Sequence, residues 1–371
     1  MTKSPDPRKI KVGIIGCGAI SNAYFNGSKT FPVLEIVNCA DLDVKRANAK
    51  AAEFGIPASG DVAQLLADPA VDLVVNLTIP RAHMEVSQAA IAAGKHVFSE
   101  KPFTITRKDG MAILAAAREK GLLIGSAPDT FLGESHQTCR KLIDDGAIGR
   151  PAAAVAFMAG HGHESWHPSP AFYYDIGGGP MFDMGPYYLT ALVNLMGPMM
   201  RVSGSTKITF PERQITSQPL AGTRIEVKTP THLAGTIDFQ SGAIATVMMS
   251  FDVWHHHLPC IEIYGTEGTL AVPDPNGTGG EVLMRRSDHR EWRNMPITHS
   301  KIAGRGAGVA DMARAILDSR PNRASGELAV HVVDAMQAFE ESSSTGAHVS
   351  LQTTASQPKA LPPGLAEGQL D

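Results

Sequence analysis

Lys11-Val-Gly-Ile-Ile-Gly-Cys-Gly-Ala-Ile-Ser21 is the stretch on which the reading of the whole chain turns. Its first half lies in an apolar run, residues 10–15, short and branched enough for a buried parallel strand. The run breaks at Gly16-Cys17-Gly18-Ala19-Ile20-Ser21, a G-x-G-x-x-small sequence. Gly16 allows a tight turn, and Gly18 lets a pyrophosphate approach the backbone. Ser21 stands where a third glycine would let helix and strand pack closely. Ala19 and Ile20 lead into a helix whose first amides and positive dipole end would hold phosphates. Glycines also end ordinary strands, so context has to supply the rest. A second apolar run, residues 34–39, ends in Ala40-Asp41. That acid lies about 20 residues past the glycines, where a ribose-binding carboxylate belongs. Together these features predict a dinucleotide-binding βαβ unit.

Outward from this stretch, strand and helix patterns alternate. Helical patterns cover 44–54, 61–66, 82–93 and 106–120, and short buried strands cover 71–77, 96–98 and 122–125. Such alternation predicts an α/β Rossmann domain over residues 1–127, a doubly wound parallel sheet with right-handed crossovers. Ligands of such sheets lie off the carboxyl ends of the strands. Three stretches then face one crevice: 16–21, Thr78-Ile-Pro80 and Glu100-Lys101-Pro102. From Pro128 the pattern changes to strand-like runs at 152–157, 202–210, 225–228, 233–239, 243–251 and 260–264. Ser241-Gly242 joins two of them as a hairpin turn. A glycine-rich loop at 177–180 precedes an apolar helix expected over 182–195. Residues 128–350 are thus expected to form an α+β domain on a large, mostly antiparallel sheet, serving substrate binding and oligomerisation. Residues 351–371, rich in Pro, Gln, Ala and Thr, are expected to be a loose tail.

Chain-wide quantities narrow the class. At 371 residues there is room for two domains, and a chain of this size buries roughly three quarters of its unfolded surface without staples. A net charge of −4 gives no electrostatic footprint for nucleic acid. The four cysteines (Cys17, Cys39, Cys139, Cys260) form no C-x-x-C pair, which suits a reducing compartment. Residues 1–9 are polar, without the apolar core of a signal peptide, and no run approaches the ~18 apolar residues of a membrane span. A soluble, cytoplasmic protein with no membrane partner is the expectation.

The combination resembles the Gfo/Idh/MocA family (glucose-fructose oxidoreductase, inositol 2-dehydrogenase and rhizopine-catabolism proteins). The matching pieces are Gly16-x-Gly18, Thr78-Ile-Pro80-x-x-His83 and Ala93-Gly-Lys-His-Val-Phe-Ser-Glu-Lys-Pro102. They continue with Gly177-Gly-Gly-Pro-Met-Phe-Asp183-Met-Gly185 and Ile263-Tyr-Gly-Thr-Glu-Gly-Thr-Leu270. The resemblance spans roughly residues 10–351. It implies an NAD-dependent (NADP possible) oxidoreductase of a sugar or polyol, working as a homodimer or homotetramer. It places Gly16, Gly18, Ala19, Ile20, Asp41, Thr78, Pro80, His83, Glu100 and Lys101 around the cofactor. It also implies a cis Lys101–Pro102 bond and makes Lys101, Asp183 and Tyr187 the catalytic set. Tyr187 departs from the pattern, because many relatives carry histidine there; a branch of the family uses tyrosine.

The chemistry agrees on its own terms. Removing a hydride from a secondary carbinol requires a base for its hydroxyl proton, within about 2.6–3.2 Å. Lys101 or Tyr187 would move that proton while Asp183 orients the lysine or a hydroxyl. On a helix over 182–195, Asp183 and Tyr187 would share a face. The structural alternative is that Asp183 caps the helix and Tyr187 only packs. His161-Gly-His163-Glu-Ser-Trp-His167 and Trp254-His-His-His257 invite a metal reading, but their spacing matches no ligand set. Contacts to a sugar suit His161 and His163 better, with Asp129 and Tyr173 as further candidates and the 255–257 histidines left between interface and surface. Two rival functions stay open: an NAD-dependent glycoside hydrolase or lyase that oxidises its sugar transiently, and a non-catalytic NAD-binding regulator.

Overall fold

The computed structural model describes residues 8–302 and 304–371. Residues 1–7 of the polar leading stretch lie outside the described residues. Two compact units emerge, one running through Gln137 with Thr298–Val330 and Pro358–Asp371, the other made of Thr138–Ile297 and His331–Gln357.

The first unit is built on six parallel strands: β1 (Ile10–Ile15), β2 (Leu34–Ala40), β3 (Ala58–Gly60), β4 (Leu73–Asn76), β5 (His96–Ser99) and β6 (Ile124–Ser126). Their order is β3-β2-β1-β4-β5-β6, so the sheet reverses direction beside β1 and leaves a crevice at its carboxyl end. Between the strands run α1 (Ser21–Ser28), α2 (Val44–Phe54), α3 (Val62–Ala67), α4 (His83–Ala92) and α5 (Arg107–Glu119). Local chemistry starts them. Asp43 accepts from the Lys45 amide, Asp61 and Gln64 form a capping box, and Thr106 accepts from the Asp109 amide. The parallel Rossmann sheet read from the sequence is present.

The tail expected to be loose over 351–371 is tied down: the Leu351 amide donates to the Met200 carbonyl at 2.9 Å, and residues 358–371 belong to the first unit. The Asp371 carboxylate pairs with Arg323, the Arg320 guanidinium donates to the Asp371 carbonyl at 2.5 Å, and the Leu361 amide donates to Gln137 Oε1 at 2.8 Å. A proline-rich composition restricts the backbone but says nothing of the partners waiting for Leu361 and Asp371.

After α6 (Glu134–Asp144), where the chain passes between the units, the second unit begins with β7 (Pro151–Ala159). Two short helices follow, α7 (Gly179–Asp183) and α8 (Gly185–Met196). The remaining strands are β8 (Met199–Lys207), β9 (Glu212–Gln214), β10 (Arg224–Glu226), β11 (His232–Phe239), β12 (Ile244–Ser250), β13 (Ile261–Gly265), β14 (Gly268–Val272), β15 (Leu283–Arg286), β16 (Arg293–Asn294) and β17 (Val349–Ser350). Eight of them join β7 in one nine-stranded sheet, β16-β15-β14-β13-β7-β12-β11-β8-β17, antiparallel except at β7/β12. The run at 225–228 does not join it; β10 pairs only with β9 in a separate ribbon. Gly204 and Gly235 face each other across β8 and β11, and the Phe339 ring, from helix Gly326–Thr345, packs over them.

The single helix expected over 182–195 is two helices. Asp183 ends α7, and Pro186 sits in the first turn of α8. Proline has no N–H to give and its ring clashes with the carbonyl four residues back, so the helix stops and restarts there. Asp183 and Tyr187 therefore stand on two consecutive helices, joined through Met184, which keeps right-handed helical angles.

Candidate active site

The loop after β1 has the shape a dinucleotide needs. Gly16 takes φ +101°, and a Cβ there would lie 2.7 Å from the Leu77 carbonyl, so only glycine fits. Gly18 is exposed with nothing within 4 Å of a Cβ position, which leaves open space over the backbone for a phosphate. Ala19 and Ile20 are exposed at the mouth of α1. Ser21 closes the loop by donating its hydroxyl to the Gly18 carbonyl at 2.7 Å, a role the glycine fingerprint did not suggest. Asp41 follows β2, where its two oxygens accept the amides of Cys17 (2.8 Å) and Asp43 (2.9 Å). Each oxygen keeps a lone pair for a ribose hydroxyl, and Arg46 leans over it at 3.6 Å. These residues fit a dinucleotide.

At the end of β5, Glu100 is buried between two donors: the Tyr24 hydroxyl of α1 reaches one oxygen and the Lys101 amide the other, both at 2.8 Å. Burial first, then Glu100, drives the Tyr24 phenol far above its ordinary range, so it stays a donor. His83 is fully buried, with Nδ1 2.7 Å from the Pro102 carbonyl and Nε2 2.9 Å from the Thr78 carbonyl. Burial pulls its pKa down, and a neutral ring donates to one of these carbonyls at a time. Asn76, missed in the sequence, accepts from both the amide and the hydroxyl of Thr78. His83 and Glu100 thus stand behind the cofactor loops, His83 bridging the Thr78 and Pro102 carbonyls and Glu100 holding the Lys101 amide. Lys101 is half-buried and its bond to Pro102 is cis.

Asp129 is a correction. Expected to touch substrate, it is 2% exposed and accepts from the Gly306 (3.1 Å) and Gly308 (2.9 Å) amides. Its carboxylate caps the helix Ala307–Asp318, a contact made across 177 residues of sequence and therefore invisible to spacing.

In the second unit, Asp183 stands 3.3 Å from His163 Nε2. Tyr173 stacks on that imidazole at 3.8 Å, and Phe251 meets it edge-on at 4.8 Å. His161 turns the other way, stacked on the exposed Trp254 at 3.3 Å; burial, then Arg213, pulls its pKa down. A buried ionic cluster carries this loop. Arg213, on β9, donates to Glu164 at 2.8 Å and pairs with Asp252, while the Tyr174 hydroxyl donates to the other Glu164 oxygen at 2.5 Å. The Tyr174 hydroxyl also accepts from the His163 amide at 3.3 Å. No sequence pattern announced Arg213, and Trp254 was noticed only as the start of a histidine run. Tyr187 is 5% exposed, and the 255–257 histidines are exposed. Among the described residues no group of three or more His, Cys, Asp or Glu is placed to hold a metal, and no helix is long and apolar enough to cross a membrane.

Comparison with known proteins bears on both units. Residues 10–127 match the oxidoreductase family with an NAD-binding Rossmann fold, and residues 136–271 match the GFO/IDH/MocA C-terminal domain. The 1,5-anhydro-D-fructose reductase of Ensifer adhaerens is 30% identical over 264 residues, covering 70% of this chain and 74% of that protein. The dTDP-3,4-didehydro-2,6-dideoxy-alpha-D-glucose 3-reductase of Streptomyces antibioticus is 30% identical over 302 residues, covering 79% and 85%. Levoglucosan dehydrogenase, solved in complex with NADH, shares the fold with a TM-score of 0.81 at 22% identity, over 93% of this chain and all of that one.

Proposed function

Because this chain belongs to the Gfo/Idh/MocA family of NAD-binding oxidoreductases, we propose that it oxidises a secondary hydroxyl of a free sugar or polyol and releases reduced cofactor at each turnover. It is a nicotinamide-dependent enzyme acting on the CH–OH of a carbohydrate or polyol. The observation that carries the finer reading is the grip on Lys101: Glu100 ties its amide to Tyr24, on the helix that follows the phosphate loop. A lysine so anchored is pre-positioned for proton transfer beside the nucleotide.

The bound nicotinamide supplies a two-electron acceptor for the carbinol hydride. The hydroxyl proton goes to the Lys101 amine, Asp183 orients a substrate hydroxyl, and Tyr187 assists the proton transfer. His161 and Tyr173 contribute polar and stacking contacts to the sugar. We further propose a cytoplasmic homodimer or homotetramer, which light scattering would test.

Lys101→Ala should lower turnover by about 10²–10⁴-fold while the Kd for NAD changes little, as expected for loss of an acid–base group. Turnover within about threefold of the parent would remove Lys101 from the mechanism.

A further inference from the structure

His163 was expected to touch the sugar, but its surroundings give it other work. Its Nε2 lies 3.3 Å from Asp183 Oδ2. Its Nδ1 is shut off from solvent with no hydrogen-bond partner among the described residues. One ring face is covered by Tyr173 and an edge of Phe251 closes the side. Neither nitrogen is left for a substrate hydroxyl.

We propose that His163 is a positioning residue: its imidazole donates Nε2–H to Asp183 and fixes that carboxylate as the acceptor for a sugar hydroxyl. The tautomer follows from the two environments. A proton on Nδ1 would bury an N–H without an acceptor and set a bare nitrogen lone pair against the Asp183 oxygen. A proton on Nε2 avoids both. Asp183 needs such support because it ends the five-residue α7, immediately before the break at Met184. The support is itself rigid. Gly162 at φ +88° lets His161 and His163 point apart, and a Cβ there would lie 2.1 Å from the Tyr174 hydroxyl. That hydroxyl is held by Glu164, and Glu164 by Arg213. The imidazole is thus fixed by a built framework and offers the carboxylate one donor from one direction.

This inference rests on the assignment of Lys101 and Asp183 above, and the tests separate the two. Without substrate, ¹⁵N NMR of the labelled full-length protein should show His163 as the Nε2–H tautomer, with that proton shifting on Asp183→Asn; an Nδ1–H tautomer overturns the proposal. With substrate, the probes are D-xylose, levoglucosan and scyllo-inositol with NAD, and 1,5-anhydro-D-fructose with NADH. On the fastest of these, His163→Ala should lower kcat about tenfold to a hundredfold, as misplacement of a catalytic group does. His163→Gln, whose amide nitrogen falls near the position of Nε2, should recover much of the loss; His163→Asn should not. In an Asp183→Asn background His163→Ala should add little. Additive losses, or Gln no better than Ala, sink the inference about His163 alone. Full turnover in Lys101→Ala instead sinks the assignment on which it rests.

Discussion

In the function proposed here, Asp41 serves both architecture and cofactor specificity with one carboxylate. It anchors the phosphate loop through the Cys17 amide and still presents lone pairs at the end of β2. A 2′-phosphate there would meet a negative charge, so kcat/KM should favour NAD over NADP. Arg46, 3.6 Å away, is positioned to reverse the preference once the carboxylate is gone. Asp41→Ala should raise the NADP-to-NAD ratio of kcat/KM by about tenfold or more; a ratio that does not move would mean that Asp41 only holds the loop. At this scale the sequence was legible where one residue type is obligatory. Gly16 was readable because nothing else fits its backbone. Asp129 was misread because a buried cap and a substrate contact ask for the same carboxylate, and only its distant partners tell them apart.

Elements were legible in proportion to their periodicity. The apolar runs that became β1, β2 and β4 announced themselves, whereas β3 is Ala-Ser-Gly and carries no pattern. The break between α7 and α8 was written in Gly185-Pro186, but the apolar run across it suggested one helix. Contacts between elements were not written at all. Gly204 and Gly235 are paired in register under Phe339, and a Cβ at Gly235 would lie 2.0 Å from the Ser203 carbonyl. Gly235→Ala should therefore destabilise by about 1–3 kcal/mol, readable in urea unfolding; an unchanged midpoint would contradict the packing described. His331, on helix Gly326–Thr345, accepts from the Met199 amide and faces the Thr353 carbonyl through its other nitrogen. Burial lowers its pKa below the ordinary 6.5, against opposing pulls from Asp334 and Thr353. The folded state then binds this proton less readily than the unfolded chain. Its contribution is full above about pH 6.5 and is lost as pH falls through the folded-state value. The stability gap between the parent and His331→Gln should narrow on going from about pH 7.5 to about pH 5. A gap that widens would mean the ring is charged in the folded protein.

For the whole molecule, the claim to be tested is that a hydride leaves the sugar for good. The fold alone cannot decide this, because the same architecture hosts different chemistries and the answer lies in the site. A dehydrogenase must release reduced nicotinamide once per product, while a hydrolase using transient oxidation needs the cofactor only catalytically. The most direct measurement follows reduced-nicotinamide absorbance and products together while the enzyme is supplied with NAD and either free sugars and polyols or aryl glycosides. The reading proposed here predicts NADH rising in step with a ketone formed from a free sugar or polyol. Glycoside cleavage with no net NADH would contradict it.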